Sequence, residues 1–116
     1  NARGLLLITF EKGQQALEAA LALSGELAAT GKSVRVGIDR GPLLLVPDGG
    51  DWKIIGSPVN LASKQAHELG QAGKIFMTFR AAGGLKLPPP IGRYKAQVSG
   101  VDLEGVIVNV PGVTPE

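Results

Sequence analysis

IIGSPVNLASK, residues 54–64, is the stretch on which the reading of the fold turns. An apolar run stops at Gly56, Ser57 offers an N-cap, and Pro58 suits the first helical position, where its missing N–H has no partner to lose. The spacing therefore predicts a helix over 58–69, with Val59, Ala62, Ala66 and Leu69 on its apolar face. Just upstream, PDGGD (47–51) carries turn chemistry and WKII (52–55) reads as the returning arm of a hairpin. Just downstream, GKIFMTF (73–79) reads as a strand.

Further out, GLLLITF (4–10) is a short continuous apolar run, as expected of a strand buried on both faces. Residues 14–30 are rich in Ala, Leu and Glu, place Ala16, Ala20, Leu23 and Leu27 at helical spacing, and meet Gly31 as a C-terminal stop. SVRVGI (33–38) alternates like a half-buried strand and leads through Asp39-Arg40-Gly41-Pro42, a bend or bulge in one long strand pair, into LLLV (43–46). RAAGGLKLPPP (80–90) excludes regular structure beyond a turn of helix. RYKAQV and VIVNV flank a turn-like SGVDLEG (99–105) and read as a closing hairpin. The order strand, helix, strand pair, helix, strand, hairpin predicts an α/β sandwich, with helices packed on a mixed sheet. The whole chain, 1–116, is expected to form one domain.

Composition narrows the function classes. With 44% hydrophobic and 19% charged residues the chain has an ordinary globular balance, and no apolar run reaches the roughly 20 residues a membrane span needs. Cysteine is absent, which removes disulfides and thiolate metal sites. The 12 basic and 10 acidic residues are interspersed, so no basic block tracks a phosphate backbone and no nucleic-acid partner is expected. Lacking an initiating methionine and a charged-then-apolar leader, the chain is expected to be processed, tagged or excised from a longer one, and to reside in the cytoplasm.

Chemistry concentrates on the polar face of the 58–69 helix, where Asn60, Lys64 and His67 align. An amide and an ammonium one turn apart can hydrogen-bond a ribose oxygen and offset phosphate charge. A solvated helix face accounts for the same spacing without any ligand. Among the acids, Asp48, Asp51, Asp102 and Glu104 read as surface turn residues, and Asp39 sits within the GIDRG segment. His67 has no ligand-type neighbour at metal spacing and reads as a surface residue, while Trp52 and Tyr94 read as packing residues. PDGG lacks the Lys-Ser/Thr ending of a phosphate loop.

In order and spacing, VRVGIDRGPLLL, IIGSPVNLASK and GKIFMT resemble the second half of the class III adenylyl and guanylyl cyclase homology domain. The matching residues are Gly37, Ile38, Gly41 and Pro42, then Gly56, Val59, Asn60, Ala62 and Ser63, then Gly73 and Ile75. The resemblance is strong over 34–78 and weak outside, where GLLLITF and the closing hairpin take the places of flanking elements. It implies a ferredoxin-like, cyclase-type sheet. It also implies that Asn60 orients the nucleotide ribose, that Lys64 stands where the family has a phosphate-facing arginine, and that Lys53 faces the purine of ATP or GTP. Lysine keeps the charge at 64 but loses the planar fork.

The family cyclises nucleoside triphosphates with Mg or Mn ions held by two aspartates. One aspartate position falls upstream of this chain, and the other aligns with Arg3 and Gly4. The family's phosphate-binding lysine aligns with Ser99, so no metal cofactor is expected on this chain's own ligands. Family active sites form between two domains, which implies a homo- or heterodimer of cyclase-like domains. The expected function is a nucleotide cyclase-like signalling domain, catalytically impaired or regulatory. Its alternatives are a protein interaction or dimerisation domain that binds no nucleotide, and a fragment of an active cyclase.

Overall fold

In the computed structural model of the chain, residues 10–111 are described, except 33, 72, 89, 90 and 99 and the side chain of Ile91. The strand expected at 4–10 lies outside these residues apart from Phe10, as do Arg3, Gly4 and Ser99.

Helix α1 spans Gly13–Ala29. No side chain caps its start, so packing supports it: Leu17 is fully buried, Ser24 is buried, and Ala20 and Leu21 lie between them on the same stripe. This stripe is rotated from the expected Ala16, Ala20, Leu23 and Leu27, because the sheet meets the helix along the 17/20/21/24 line. At the C-terminus Gly31 N donates to Ala28 O and Lys32 N to Leu27 O, with Gly31 at φ 78°. This is the doubly bonded left-handed stop foreseen at that glycine.

Strand β1 (Val36–Ile38) is shorter than the SVRVGI run, since Val34 and Arg35 lie outside it. Strands β2 (Leu44–Asp48) and β3 (Asp51–Ile55) form the expected hairpin, and Gly49 and Gly50 both take positive φ, as a two-residue turn matching strand twist requires. Residues 39–43 do not bend one continuous strand pair. They carry the chain out of the main sheet into this separate two-stranded sheet.

Helix α2 (Ser57–Lys64) begins with Ser57 inside its first turn and Gly56 at the cap position, so Ser57 does not cap it as expected. The predicted continuous helix to 69 changes character after Lys64, and Gln65–Leu69 form a π-helical segment. Strand β4 (Lys74–Thr78) and a single helical turn, α3 (Phe79–Ala82), follow. Strands β5 (Ile91–Val98) and β6 (Val101–Asn109) close the fold. Val98 pairs with Val101, and the VDLEG segment expected in the turn is strand. Asp102 and Glu104 are therefore exposed strand residues.

The main sheet runs β1-β4-β6-β5, with β1 parallel to β4 and the other pairs antiparallel. The expected mixed sheet with helices packed on it is thus the observed architecture. Register divides it into two faces. Val36, Ile38, Ile75, Met77, Val106 and Val108 form one face, and with Leu17 and Ala81 they make the main core under α1 and α3. Gly37, Phe76, Gly105 and Tyr94 lie on the other face, under α2 and the π segment. No helix among the described residues is long and apolar enough to cross a membrane.

Candidate functional site

Helix α2 sits on β1 because position 37 has no side chain. A Cβ there would overlap the Ala62 carbonyl oxygen and stand 2.8 Å from Gln65 Cβ. Gly41 makes room for the Pro58 ring, and a Cβ at Gly56 would stand 2.8 Å from the Pro42 carbonyl oxygen. Glycine, proline and alanine at these positions fix how the helix follows the hairpin and lies on the sheet.

Asn60 differs from these neighbours. Its side chain is exposed and, among the described residues, makes no hydrogen bond. Lys64, one turn on, is partly buried, and His67 is exposed, as expected of a surface residue. Lys53 lies on β3 opposite Val46 and is exposed. No hydrogen bond or ion pair joins Lys53, Asn60 and Lys64, so the expected site residues are two positions on one helix and one on a neighbouring hairpin.

Beneath α2 lies a polar network that sequence reasoning missed. Gln65 is fully buried; its Nε2 donates to the Ile38 carbonyl oxygen at 3.0 Å, and its Oε1 accepts from the Tyr94 hydroxyl. Tyr94 crosses over Gly105, where any Cβ would overlap the Met77 carbonyl oxygen and press the tyrosine ring, and its own ring tilts against Phe76 at 5.2 Å between centroids. Burial, with the negative charge of Asp39 adding to it, pushes the Tyr94 hydroxyl up to about 12. Tyr94 is the packing residue expected. Trp52 is not: it is 64% exposed on the hairpin.

Asp39, one residue beyond β1, is held by an ion pair. Arg80 Nε donates to Oδ1 at 2.8 Å and Nη2 to Oδ2 at 2.6 Å, while the Thr78 hydroxyl donates to Oδ1 at 2.6 Å. The carboxylate is fully covered, whereas the guanidinium is 47% exposed. Burial alone would raise the carboxyl, but the hydrogen bonds from Arg80, Thr78 and the Arg40 backbone prevail and hold it below its usual 3.8. The same pairing raises the Arg80 guanidinium further still. Thr78 also accepts from Ala81 N and caps α3, and the TFRA pattern was a legible cap signal. With both oxygens engaged, Asp39 serves as a brace between the end of β1, the end of β4 and α3.

Among the described residues no three His, Asp or Glu side chains gather as metal ligands would. Comparison with protein-family models, with characterised proteins and with solved structures finds no match to this chain.

Proposed function

We propose that this chain is a nucleotide cyclase-like signalling domain that binds ATP or GTP and is catalytically impaired or regulatory. One observation carries the reading. In the resembling motif Gly37, Gly41, Gly56 and Ala62 have packing duties, whereas Asn60 is exposed and makes no hydrogen bond among the described residues. An amide left free in the middle of a closely fitted motif is available to a ligand, and the ribose is the group the resemblance assigns to it. Lys64 then offsets phosphate charge as a point charge, without bidentate contact, and Lys53 borders the base. Impairment follows from chemistry: two-metal cyclisation needs carboxylates, and at the one position of that pair within this chain Arg3 and Gly4 stand instead. A partner domain supplying those carboxylates would complete a composite site, as the implied dimer requires.

Titration calorimetry with non-cyclisable ATP and GTP analogues, with and without manganese, tests the reading. Saturable binding that weakens in Asn60→Ala supports it, and no binding of either analogue overturns it. Cyclic nucleotide formed by the chain alone and abolished by Asn60→Ala would overturn the impaired part only. A second reading, an interaction domain indifferent to nucleotides, is favoured by the exposed apolar residues of the β2–β3 hairpin.

A further inference from the structure

Asp48 ends strand β2, and Gly49 follows it at the tip of the β2–β3 hairpin. Asp48 is exposed, and among the described residues its carboxylate makes no hydrogen bond or ion pair. The Gly49 amide lies outside the paired strands and makes no backbone hydrogen bond among the described residues. Gly49 and Gly50 take φ of 56° and 89°, and among the described residues nothing stands within 4 Å of a Cβ on either. A free carboxyl group and an unshielded amide nitrogen are therefore chain neighbours. The other aspartates lack this combination. Asp39 has both oxygens engaged, and Asp51 accepts from Trp52 N. Asp39, Asp51 and Asp102 are also followed by Arg40, Trp52 and Leu103, whose side chains crowd the amide that glycine leaves open.

We propose that Asp48 is a site of spontaneous main-chain rearrangement to isoaspartate, through a succinimide ring closed with the Gly49 nitrogen. The Gly49 nitrogen attacks Cγ of Asp48 in its carboxylic acid form. An N–Cγ bond forms, and one carboxyl oxygen leaves as water with the acid proton and the amide proton. Water then opens the ring at either carbonyl. Cleavage at Cγ restores Asp48, whereas cleavage at the main-chain carbonyl leaves the chain running through Cγ and frees an α-carboxylate. The hairpin assists twice. Two strands without a third are marginal in water, and among the described residues no third strand flanks these, so the tip opens locally and lets the carboxyl turn onto the amide. Register also sets Asp51 directly opposite Asp48, and the neutral ring removes that like-charge repulsion. The product has an extra main-chain carbon beside a turn whose geometry matches strand twist, so the adjoining Pro47–Trp52 pair loosens. Ageing of the chain thus alters the hairpin that carries Lys53. The proposal does not rest on nucleotide binding.

The test holds the full chain for weeks in neutral buffer at body temperature. Isoaspartate is then counted by methyl transfer from labelled S-adenosylmethionine, catalysed by a protein isoaspartyl methyltransferase, which esterifies the freed α-carboxylate. An endoprotease that cuts before aspartate but not before isoaspartate locates it. Asp48 is expected to convert about tenfold or more faster than Asp39, Asp51 or Asp102, the ratio that the steric cost of a following side chain produces. Loss of the cut at Asp48, with the cut at Asp51 retained, is the corresponding map. Asp48→Asn closes the same ring with release of ammonia and should accept methyl groups sooner. Asp48→Glu keeps the charge but needs a larger ring, and should abolish methylation at the tip while far-UV circular dichroism stays unchanged. A chain that accepts no methyl groups overturns the proposal. So does methylation that appears as fast at another aspartate, or that persists at the tip in Asp48→Glu. Should either variant fail to fold, the map of the unaltered chain decides alone.

Discussion

The Tyr94 hydroxyl donates to Oε1 of Gln65, joining edge strand β5 to the first residue of the π-helical segment on the far side of β6 and β4. Gln65 has no exposed surface, and Ile38 takes its Nε2 proton, so the amide is satisfied only while helix, β1 and β5 hold their places. The bond tethers α2, and with it the Asn60 face, to the sheet.

Tyr94→Phe keeps the ring against Phe76 but strands the Gln65 oxygen in the interior. Denaturant melts are expected to show a loss of about 1–3 kcal/mol. An unchanged midpoint would mean that water or a rearranged amide replaces the bond.

The same tyrosine predicts behaviour in alkali. Its folded value, about 12, lies above the ordinary 10.0, so the neutral hydroxyl is the form the fold favours. Its contribution is complete below 10.0 and is lost as pH rises from there through about 12. Because the chain has one tyrosine, ultraviolet titration reads this group alone. The midpoint should lie near 12 in the folded chain and fall to about 10 in denaturant; equal midpoints would refute the buried bond.

Asp39 titrates in the opposite sense. Its folded value is depressed, so its stabilisation is present above 3.8 and is lost as pH falls below that toward the lower folded value. Asp39→Asn should cost about 1–2 kcal/mol at neutral pH, discounted because half of the Arg80 guanidinium faces solvent. Melts at descending pH should bring the two proteins together. A difference that persists in strong acid would assign the effect to packing.

At Gly37 the helix and sheet backbones meet, and neither can yield without unseating the other. Gly37→Ala should therefore cost about 3 kcal/mol or more. Gly25 in α1 provides the control: among the described residues nothing lies within 4 Å of a Cβ there, so Gly25→Ala should be neutral or stabilising by up to about 1 kcal/mol. Comparable thermal midpoints for the two variants would contradict the close approach.

What the sequence disclosed was local. The Gly49-Gly50 turn, the Gly31 stop and the existence of α1, α2 and β4 follow from rules acting within a few residues, and they were legible, whereas the buried stripe of α1 and the change of α2 after Lys64 were not. VDLEG was misread because Asp and Gly signal turns, whereas here Gly105 is needed for the passage of Tyr94 and Asp102 faces solvent. The Asp39–Arg80 pair spans 41 residues and the Tyr94–Gln65 pair 29, and nothing local announces either. Gln65 carried no signal in the sequence, since its burial depends on which strands lie beneath it. Trp52 was expected to pack because the chain has too few aromatics for a base-stacking platform, and its exposure is a property of the hairpin's departure from the main sheet. Of the candidate site, the two helical positions were legible together, but Lys53 could be joined to them only through the resemblance.

Asn60 gives the sharpest separation of architecture from function. An exposed amide without a hydrogen-bond partner among the described residues contributes little to folding, so Asn60→Ala should move stability by no more than about 0.5 kcal/mol. If the amide holds a ribose, the same substitution removes one or two hydrogen bonds to the ligand and should weaken analogue binding by roughly five- to tenfold. Lys64→Arg restores a planar fork and should tighten binding of the triphosphate more than of the corresponding nucleoside. Thermal melts and titration calorimetry on the same preparations read both effects. Loss of stability in Asn60→Ala, with binding unchanged, would assign the residue to the scaffold and remove the support for a nucleotide on α2.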